Sequence, residues 1–457
     1  MISIDRIPLE QAALQRGNSA SLNGGQSSSR WDRWSYIPGP ASHILQCDAR
    51  TKITTLRSAQ TEEQRWPDPL AALAWLGNQA TEPPIPGPPF KGGWVGNLSY
   101  DLGRLFENLP SRAADDLQLP LFTFTHHDQV IAIDHDKNIA YDCRLSAKIP
   151  VAWASRPCIL PPHSTDNHLI PPSRVESSPT FSNDPPQADF TRTAYESAVQ
   201  RAIDYISAGD IFQVNLAQRF TAGLPKSPGQ LYRDLHRRYP AWFGAYLDYG
   251  DHALLCNSPE LFLRITPQRN HRNILTRPIK GTRPRGPGLD TELRESLKDQ
   301  AELNMIIDLE RNDLGRICRI GTVKVTERRL IETHPTLFHG AATIEGVLRD
   351  EVTFVNILRA TFPGGSVTGA PKIRAMEIIE ELEPVRRGPY CGAIGYLSAD
   401  GHVQFNVAIR TMIARSNRVY FSVGGGIVAD SQPTAEYDET IVKAKAMFDV
   451  LGPKSQI

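Results

Sequence analysis

GAIGYLSADGHVQFNVAIRTMIA, residues 392–414, is a succession of short runs rich in Ile, Val, Tyr and Phe, which read as consecutive strands. Similar runs lie nearby in GTVKVTERRLI (321–331) and VYFSVGGGIV (419–428). Far upstream, QVIAIDHDKNIAYDCRL (129–145) alternates apolar and polar residues about a turn at Asp136-Lys137. Helical spacing of apolar residues appears between these runs. YESAVQRAIDYISAGD (195–210) shows it and stops at a glycine before the strand-like IFQVNLAQRF. Further helices are predicted from about 291 to 311, from Pro371 in GAPKIRAMEIIEEL, and over roughly 434 to 450, Pro371 being tolerated in a first turn. Strands grouped as hairpins among helices predict an α+β fold with antiparallel sheets rather than an alternating βαβ array. No internal repeat is visible.

Three regions are expected: an N-terminal region over 1–148, a Pro- and Ser-rich linker or surface excursion over 149–188, and a densely patterned region over 189–453. The 457-residue chain has 50 basic and 50 acidic residues, so it carries neither a nucleic-acid footprint nor a polybasic membrane surface. No apolar run approaches the length of a membrane span, and the N-terminus has no apolar leader core. Six cysteines without CxxC spacing fit reduced thiols in a cytoplasmic protein.

RPIKGTRPRG (277–286) places Lys280 in a stretch too rich in Pro, Gly and Arg to be a helix. Held at a strand end before a Gly-Thr turn and aimed into a cavity, it is a nucleophile candidate; on a surface loop it is merely solvated. In the last helix, Glu436, Glu439 and Lys443 share one face, apart from the apolar stripe of Tyr437, Ile441, Ala444 and Phe448. That face reads either as a solvated surface with a Glu–Lys pair or as two carboxylates for a hard cation such as Mg²⁺, with Glu302 a further ligand from another helix. Gly424, Gly425 and Gly426 end a strand and offer backbone N–H groups to an anion. FPGGSVTGAPK supplies a second exposed-amide loop, but Ala370-Pro371-Lys372 stands where a phosphate-binding loop needs Gly-Lys-Ser/Thr. Arg410 lies in a β-run between apolar neighbours, where a charged side chain is expected to point outward unless it grips a carboxylate. Cys391 lacks the flanking glycines of a nucleophile elbow and is read as structural. Glu260, taken alone, reads equally well as a turn residue beside Pro259.

Taken together, SPELFL, RPIKGT, KDQAELNMIIDLERNDLGR, PGGSVTGAPKIRAMEII, GPYCGAIGY, NVAIRT and GGGIVADSQPTAEYDET resemble the chorismate-utilising enzymes over about 190–450. That family includes anthranilate synthase component I and aminodeoxychorismate synthase component I. FKGGWVGNLSYDLGRLFENLP is similar to the aminodeoxychorismate branch, and so is Lys280, where anthranilate synthases typically carry alanine. The resemblance implies a two-layer antiparallel β-sandwich with helices packed outside and the site in a cleft between the sheets. It implies that Lys280 adds covalently to chorismate and that Glu260 is the general acid. Glu302, Glu436 and Glu439 would hold Mg²⁺ against the ring carboxylate. Tyr390 and Arg410 would meet the pyruvyl carboxylate, Lys443 with Gly424 and Gly425 would assist anion binding, and Thr282 and His339 would line the pocket. Ammonia is expected from a separate glutamine amidotransferase subunit, making 4-amino-4-deoxychorismate for p-aminobenzoate and folate. Two departures stand out: Gly340 after His339, where the family has a bulkier aliphatic residue, and the absence of the tryptophan-sensing LLES pattern.

Overall fold

The computed structural model describes residues 2–9, 20–23, 31, 33–58, 61–146, 181–334 and 337–452. Most of the Pro- and Ser-rich stretch lies outside them.

Among the described residues, two antiparallel sheets of 12 strands each dominate. The first runs from Ile2–Ile7 through Ile139–Leu145, Gln129–Asp134, Trp34–Pro38 and Ala20–Asn23 to Phe243–Asp248, His252–Ser258, Thr411–Arg415, Arg418–Ile427 and Gln213–Gly223. The second begins at Ile279–Pro284, Leu337–Val347, Arg272–Arg277 and Leu261–Pro267. It passes through Val403–Val407 and Ala393–Ser398 to Gly93–Leu98, Phe122–His127 and Ala41–Cys47. Each sheet therefore mixes strands from both ends of the chain, and the N-terminal region is a set of strands within a shared sandwich.

The segment 392–414 ties the layers together. Ala393–Ser398 and Val403–Val407 form a hairpin in the second sheet, and Thr411–Arg415 then pairs with His252–Ser258 in the first. Between the sheets lies an apolar layer in which Tyr36 and Tyr396 meet edge to face, with Val95, Val130, Leu254, Ile394 and Ile413 buried around them. Helices cover the outer faces. Arg192–Ser207, Pro228–Arg238, Lys372–Leu382 and Pro433–Leu451 lie against the first sheet, and Pro69–Gly77, Leu297–Gly315 and Phe354–Thr361 against the second. The expected α+β sandwich is the observed architecture.

The helix expected from about 291 to 311 is two helices, Leu289–Glu295 and Leu297–Gly315. Ser296 breaks it: its backbone is extended and its side chain accepts from Asp299 N (3.2 Å), satisfying one of the N–H groups a new helix leaves open. The five cysteines among the described residues are free and buried, Cys391 included. Among the described residues no helix is long and apolar enough to cross a membrane.

Candidate active site between the sheets

Lys280 owes its direction to an irregularity in its strand. Ile279–Pro284 pairs with Leu337–Val347, but the register slips between Lys280 and Thr282. Gly281 occupies the slip with φ 79°, and a Cβ there would stand 2.7 Å from Leu293 Cδ1. Such a bulge re-aims the neighbouring side chain. The lysine reaches across the sandwich, its Nζ lying 3.4 Å from the point a Cβ on Gly426 would occupy. Although Lys280 keeps some accessible surface, protein encloses it, and burial lowers its pKa below the ordinary lysine value. Glu302 pulls the other way first, then Glu260 and Glu439, while Lys443 adds to the lowering.

Gly340, the departure noted after His339, has a steric cause. It sits opposite Lys280, and a Cβ on it would stand 2.7 Å from the Lys280 carbonyl oxygen. Only a hydrogen fits where the two backbones approach so closely.

Glu260 is 4% exposed in the turn between His252–Ser258 and Leu261–Pro267. The Ser258 hydroxyl accepts from Glu260 N (3.1 Å) and donates to Val407 O (2.6 Å), which fixes the turn. Glu260 Oε1 is buried without a hydrogen-bond partner. Burial raises the carboxyl above its ordinary value, opposed by the nearby Ser366 hydroxyl, Lys280, the Ile279 backbone and Arg410. An amine pushed down and an acid pushed up thus face the same space.

The expectation that Arg410 lies within a β-run does not hold. It stands at the break between Val403–Val407 and Thr411–Arg415, at φ 50°, where the chain leaves one sheet for the other. Apolar residues flanking it hid the break. The guanidinium is enclosed and acts electrostatically on both Glu260 and His339. His339, 1% exposed, bonds through Nδ1 to Thr282 Oγ1 (2.9 Å), and burial holds its pKa well below the usual range. Thr282 itself is largely exposed. Tyr390 is buried in the core under the second sheet, its ring 5.9 Å from the Arg387 guanidinium carbon and its hydroxyl near Cys391.

The three glycines are not a free strand end. Gly424, Gly425 and Gly426 remain paired with Ala217, Leu216 and Asn215. What they expose to the cluster differs from expectation: the Gly424 carbonyl accepts from Lys443 Nζ (2.9 Å). Gly425 makes room, since a Cβ on it would stand 3.2 Å from Glu436 Oε2, 3.6 Å from Glu439 Oε1 and 3.7 Å from Lys443 Nζ. The FPGGSVTGAPK loop is buried rather than exposed, with Thr368 at 0% and Ser366 at 5% exposure.

Glu436 is buried and accepts from the Ser431 hydroxyl (2.6 Å), burial raising its pKa. Glu439 is half-exposed and paired with Lys443 at 2.6 Å; burial raises its pKa, but Lys443 together with Lys298 and Lys280 lowers it overall. Glu302, on Leu297–Gly315, couples electrostatically to Lys280 and Glu439, with burial raising its pKa. Among the described residues no three acidic, histidine or cysteine side chains are already gathered as a cage. Two carboxylate oxygens converging on the space above Gly425 nevertheless suit a hard cation that keeps most of its ligands as water and substrate.

One residue escaped the sequence reading. Gln213 is fully buried, both its amide atoms lack partners, and its Nε2 would lie 2.5 Å from a Cβ on Gly426. It shares that spot with the Lys280 amine. Its signal was only a polar residue opening the alternating stretch Val214-Asn215-Leu216-Ala217, which many strands show.

A two-layer antiparallel sandwich with an enclosed lysine, a protonatable glutamate and a carboxylate cluster at one point between its sheets defines an enzyme of the inter-sheet-cleft kind. The chain belongs to the chorismate binding enzyme family, whose model matches residues 27–449. It is 42% identical over 392 residues to anthranilate synthase component 1 of Thermus thermophilus, covering 83% of this chain and 82% of that one. It is 38% identical over 442 residues to aminodeoxychorismate synthase component 1 of Salmonella typhimurium, covering 94% and 92%. The crystal structure of anthranilate synthase component I from Streptococcus pneumoniae superimposes with a TM-score of 0.74 at 31% identity, covering 92% and 93%.

Proposed function

We propose that this chain is component I of an aminodeoxychorismate synthase, replacing the C4 hydroxyl of chorismate by an amino group. The observation that carries this is the enclosed Lys280 amine at the sheet junction. Resemblance to anthranilate synthases alone does not call for a lysine there, and a covalent role does. A nucleophile that must be neutral gains from the burial that lowers its pKa.

In this mechanism the Lys280 amine forms a bond to C2 while the C4 hydroxyl departs as water, taking its proton from Glu260. Burial keeps Glu260 protonated to a higher pH than a free carboxyl, as a general acid requires. Ammonia then adds at C4, the C2–N bond breaks, and its electron pair returns to Lys280. One difficult substitution becomes two easier ones. Arg410 and Lys443 supply positive charge for the substrate carboxylates, and Thr282 holds His339 in one ring orientation. Glu436, Glu439 and Glu302 would hold Mg²⁺, which when bound neutralises and orients the ring carboxylate. Gln213 lends an amide with unmet hydrogen bonds to the same cavity. A glutamine amidotransferase subunit supplies the ammonia, and ammonium salts replace it in vitro. The reduced thiols suit a cytoplasmic setting.

Mass spectrometry of the protein with chorismate and Mg²⁺, without ammonia, tests the reading. A chorismate-derived adduct on Lys280, absent from Lys280→Ala, is expected. Undiminished C4 amination by Lys280→Ala overturns it. The 42% identity to an anthranilate synthase component favours a second reading, anthranilate formation, which a fluorescent aromatic product from chorismate, Mg²⁺ and ammonium would establish.

A further inference from the structure

Glu310 is a buried carboxyl that the mechanism above does not use. It lies on Leu297–Gly315, 7% exposed, and accepts from Thr276 Oγ1 at 2.8 Å. Its buried neighbours on that helix are Ile306, Ile307 and Leu314, with Asp313 a second acid among them. A carboxyl kept there costs stability unless it holds a proton. Its Cγ lies 3.7 Å from the point a Cβ on Gly365 would occupy, and the next residue, Ser366, faces the Glu260 carboxyl. A recess of about 10 Å³ adjoins Glu310, which lines it with Phe262, Thr276, Asp313, Gly364 and Gly365. Asp313 there is paired with Lys372 (2.6 Å), which also donates to Thr361 O (3.0 Å). The charged groups bearing on Glu310 are thus Glu260, Asp313 and Lys372.

Each turnover leaves Glu260 without its proton. Lys280 returns as the neutral amine it began as, ammonia ends as the C4 ammonium, and the hydroxyl leaves as water. One proton must therefore reach a carboxylate that is 4% exposed. We propose that Glu310 recharges Glu260: its O–H bond breaks as one forms on Glu260, by way of the Ser366 hydroxyl, and solvent refills Glu310 from the recess. Burial pushes the Glu310 carboxyl up to about 8 against the opposing Thr276 hydrogen bond, so it carries a proton at neutral pH. The proposal rests on Glu260 being the general acid.

Rapid-quench kinetics on the full chain, with saturating chorismate, Mg²⁺ and ammonium, separate the first turnover from the rest. Glu310→Gln is expected to form one product per site at the unaltered rate and then to run about 10-fold slower. That slow phase should quicken as a small weak-acid buffer is raised from 10 to 200 mM at fixed ionic strength, values chosen to span about one order of magnitude in proton donor. Glu310→Met, suited to the apolar neighbours, gives the same pattern where Gln disturbs folding, and thermal unfolding checks both. A time course linear from the start, or both phases slowed alike without buffer response, overturns the proposal. Glu260→Gln should lose the first turnover itself; if it does not, it is the acid assignment that fails.

Discussion

Three adjacent glycines should respond to alanine in three different ways. In Gly424→Ala the new methyl would sit 2.4 Å from the Leu216 carbonyl oxygen and 2.9 Å from Ala217 Cα. Both are backbone atoms of the partner strand, so the clash is relieved only by parting Arg418–Ile427 from Gln213–Gly223. Overpacking of this kind costs about 3 kcal/mol. With an unfolding entropy of ~2.1 cal/mol/K per residue, a 457-residue chain loses about 1 kcal/mol per kelvin, which makes the shift in Tm roughly 3 °C. In Gly425→Ala the nearest atoms are the ends of Glu436, Glu439 and Lys443, at 3.2, 3.6 and 3.7 Å. These side chains give way, so Tm should hold while the Mg²⁺ concentration for half-maximal activity rises about tenfold, a loss of ~1.4 kcal/mol in cation binding. In Gly426→Ala the methyl meets Gln213 Nε2 at 2.5 Å and crowds Lys280 Nζ at 3.4 Å, so formation of the Lys280 adduct should slow with little loss of stability. Differential scanning fluorimetry, Mg²⁺ titration of initial rates and adduct mass spectrometry read the three effects. Equal Tm losses in all three variants, or an unchanged Mg²⁺ requirement in Gly425→Ala, would refute the reasoning.

The rate should be bell-shaped in pH. It rises as Lys280 loses its proton below the ordinary lysine range and falls as Glu260 loses its own above the ordinary carboxylate range; Glu260→Gln should abolish the chemistry rather than shift one limb. Glu310 has its folded pKa raised from 4.5 to about 8, so its stabilising contribution is full below 4.5 and is lost as pH climbs toward 8. Glu310→Gln should flatten the decline in Tm across that window, where the wild type loses on the order of 1 kcal/mol per pH unit. Lys91 and Asp400 form a fully buried ion pair at 2.6 Å, and against the opposing burial the His402 ring (3.1 Å) and then Lys91 hold Asp400 at about 2. That depressed pKa contributes about 2 kcal/mol above pH 3.8, lost as pH falls through 2. Lys91→Met leaves the buried carboxylate with His402 alone and should cost about 3 kcal/mol in urea unfolding, and a loss below ~1 kcal/mol would contradict the pairing.

Strands and the last helix were legible because local periodicity and glycine punctuation report on one element at a time. Glu436, Glu439 and Lys443 could be placed on one helix face by spacing alone, and the helix Pro433–Leu451 presents them so. Ser296 was misread because its flanks are good helix formers, and only the cap geometry reveals the break. Arg410 was misread for a related reason: a chain crossing between two layers keeps its apolar neighbours on both sides. The meeting of Lys280 with Gly426 and Gln213 joins residues from opposite sheets, and no local pattern encodes such a distance. Gly340 was visible as an oddity without a cause until its partner across the strand pair was known to be Lys280. Nothing in the sequence set Glu310 apart, because a carboxyl inside and a carboxyl outside are the same letter.

The shared membership of the two sheets has a consequence for assembly. Gly93–Leu98 lies beside Ala393–Ser398, and Ala20–Asn23 beside Phe243–Asp248, so neighbours in space are separated by hundreds of positions along the chain. Such high contact order makes collapse slow, and on the ribosome neither layer can close until the final third has emerged. Lys280 and Glu260 are therefore brought face to face only at the last stage of folding, and expressing the 189–453 region alone should give an aggregate with bare strand edges.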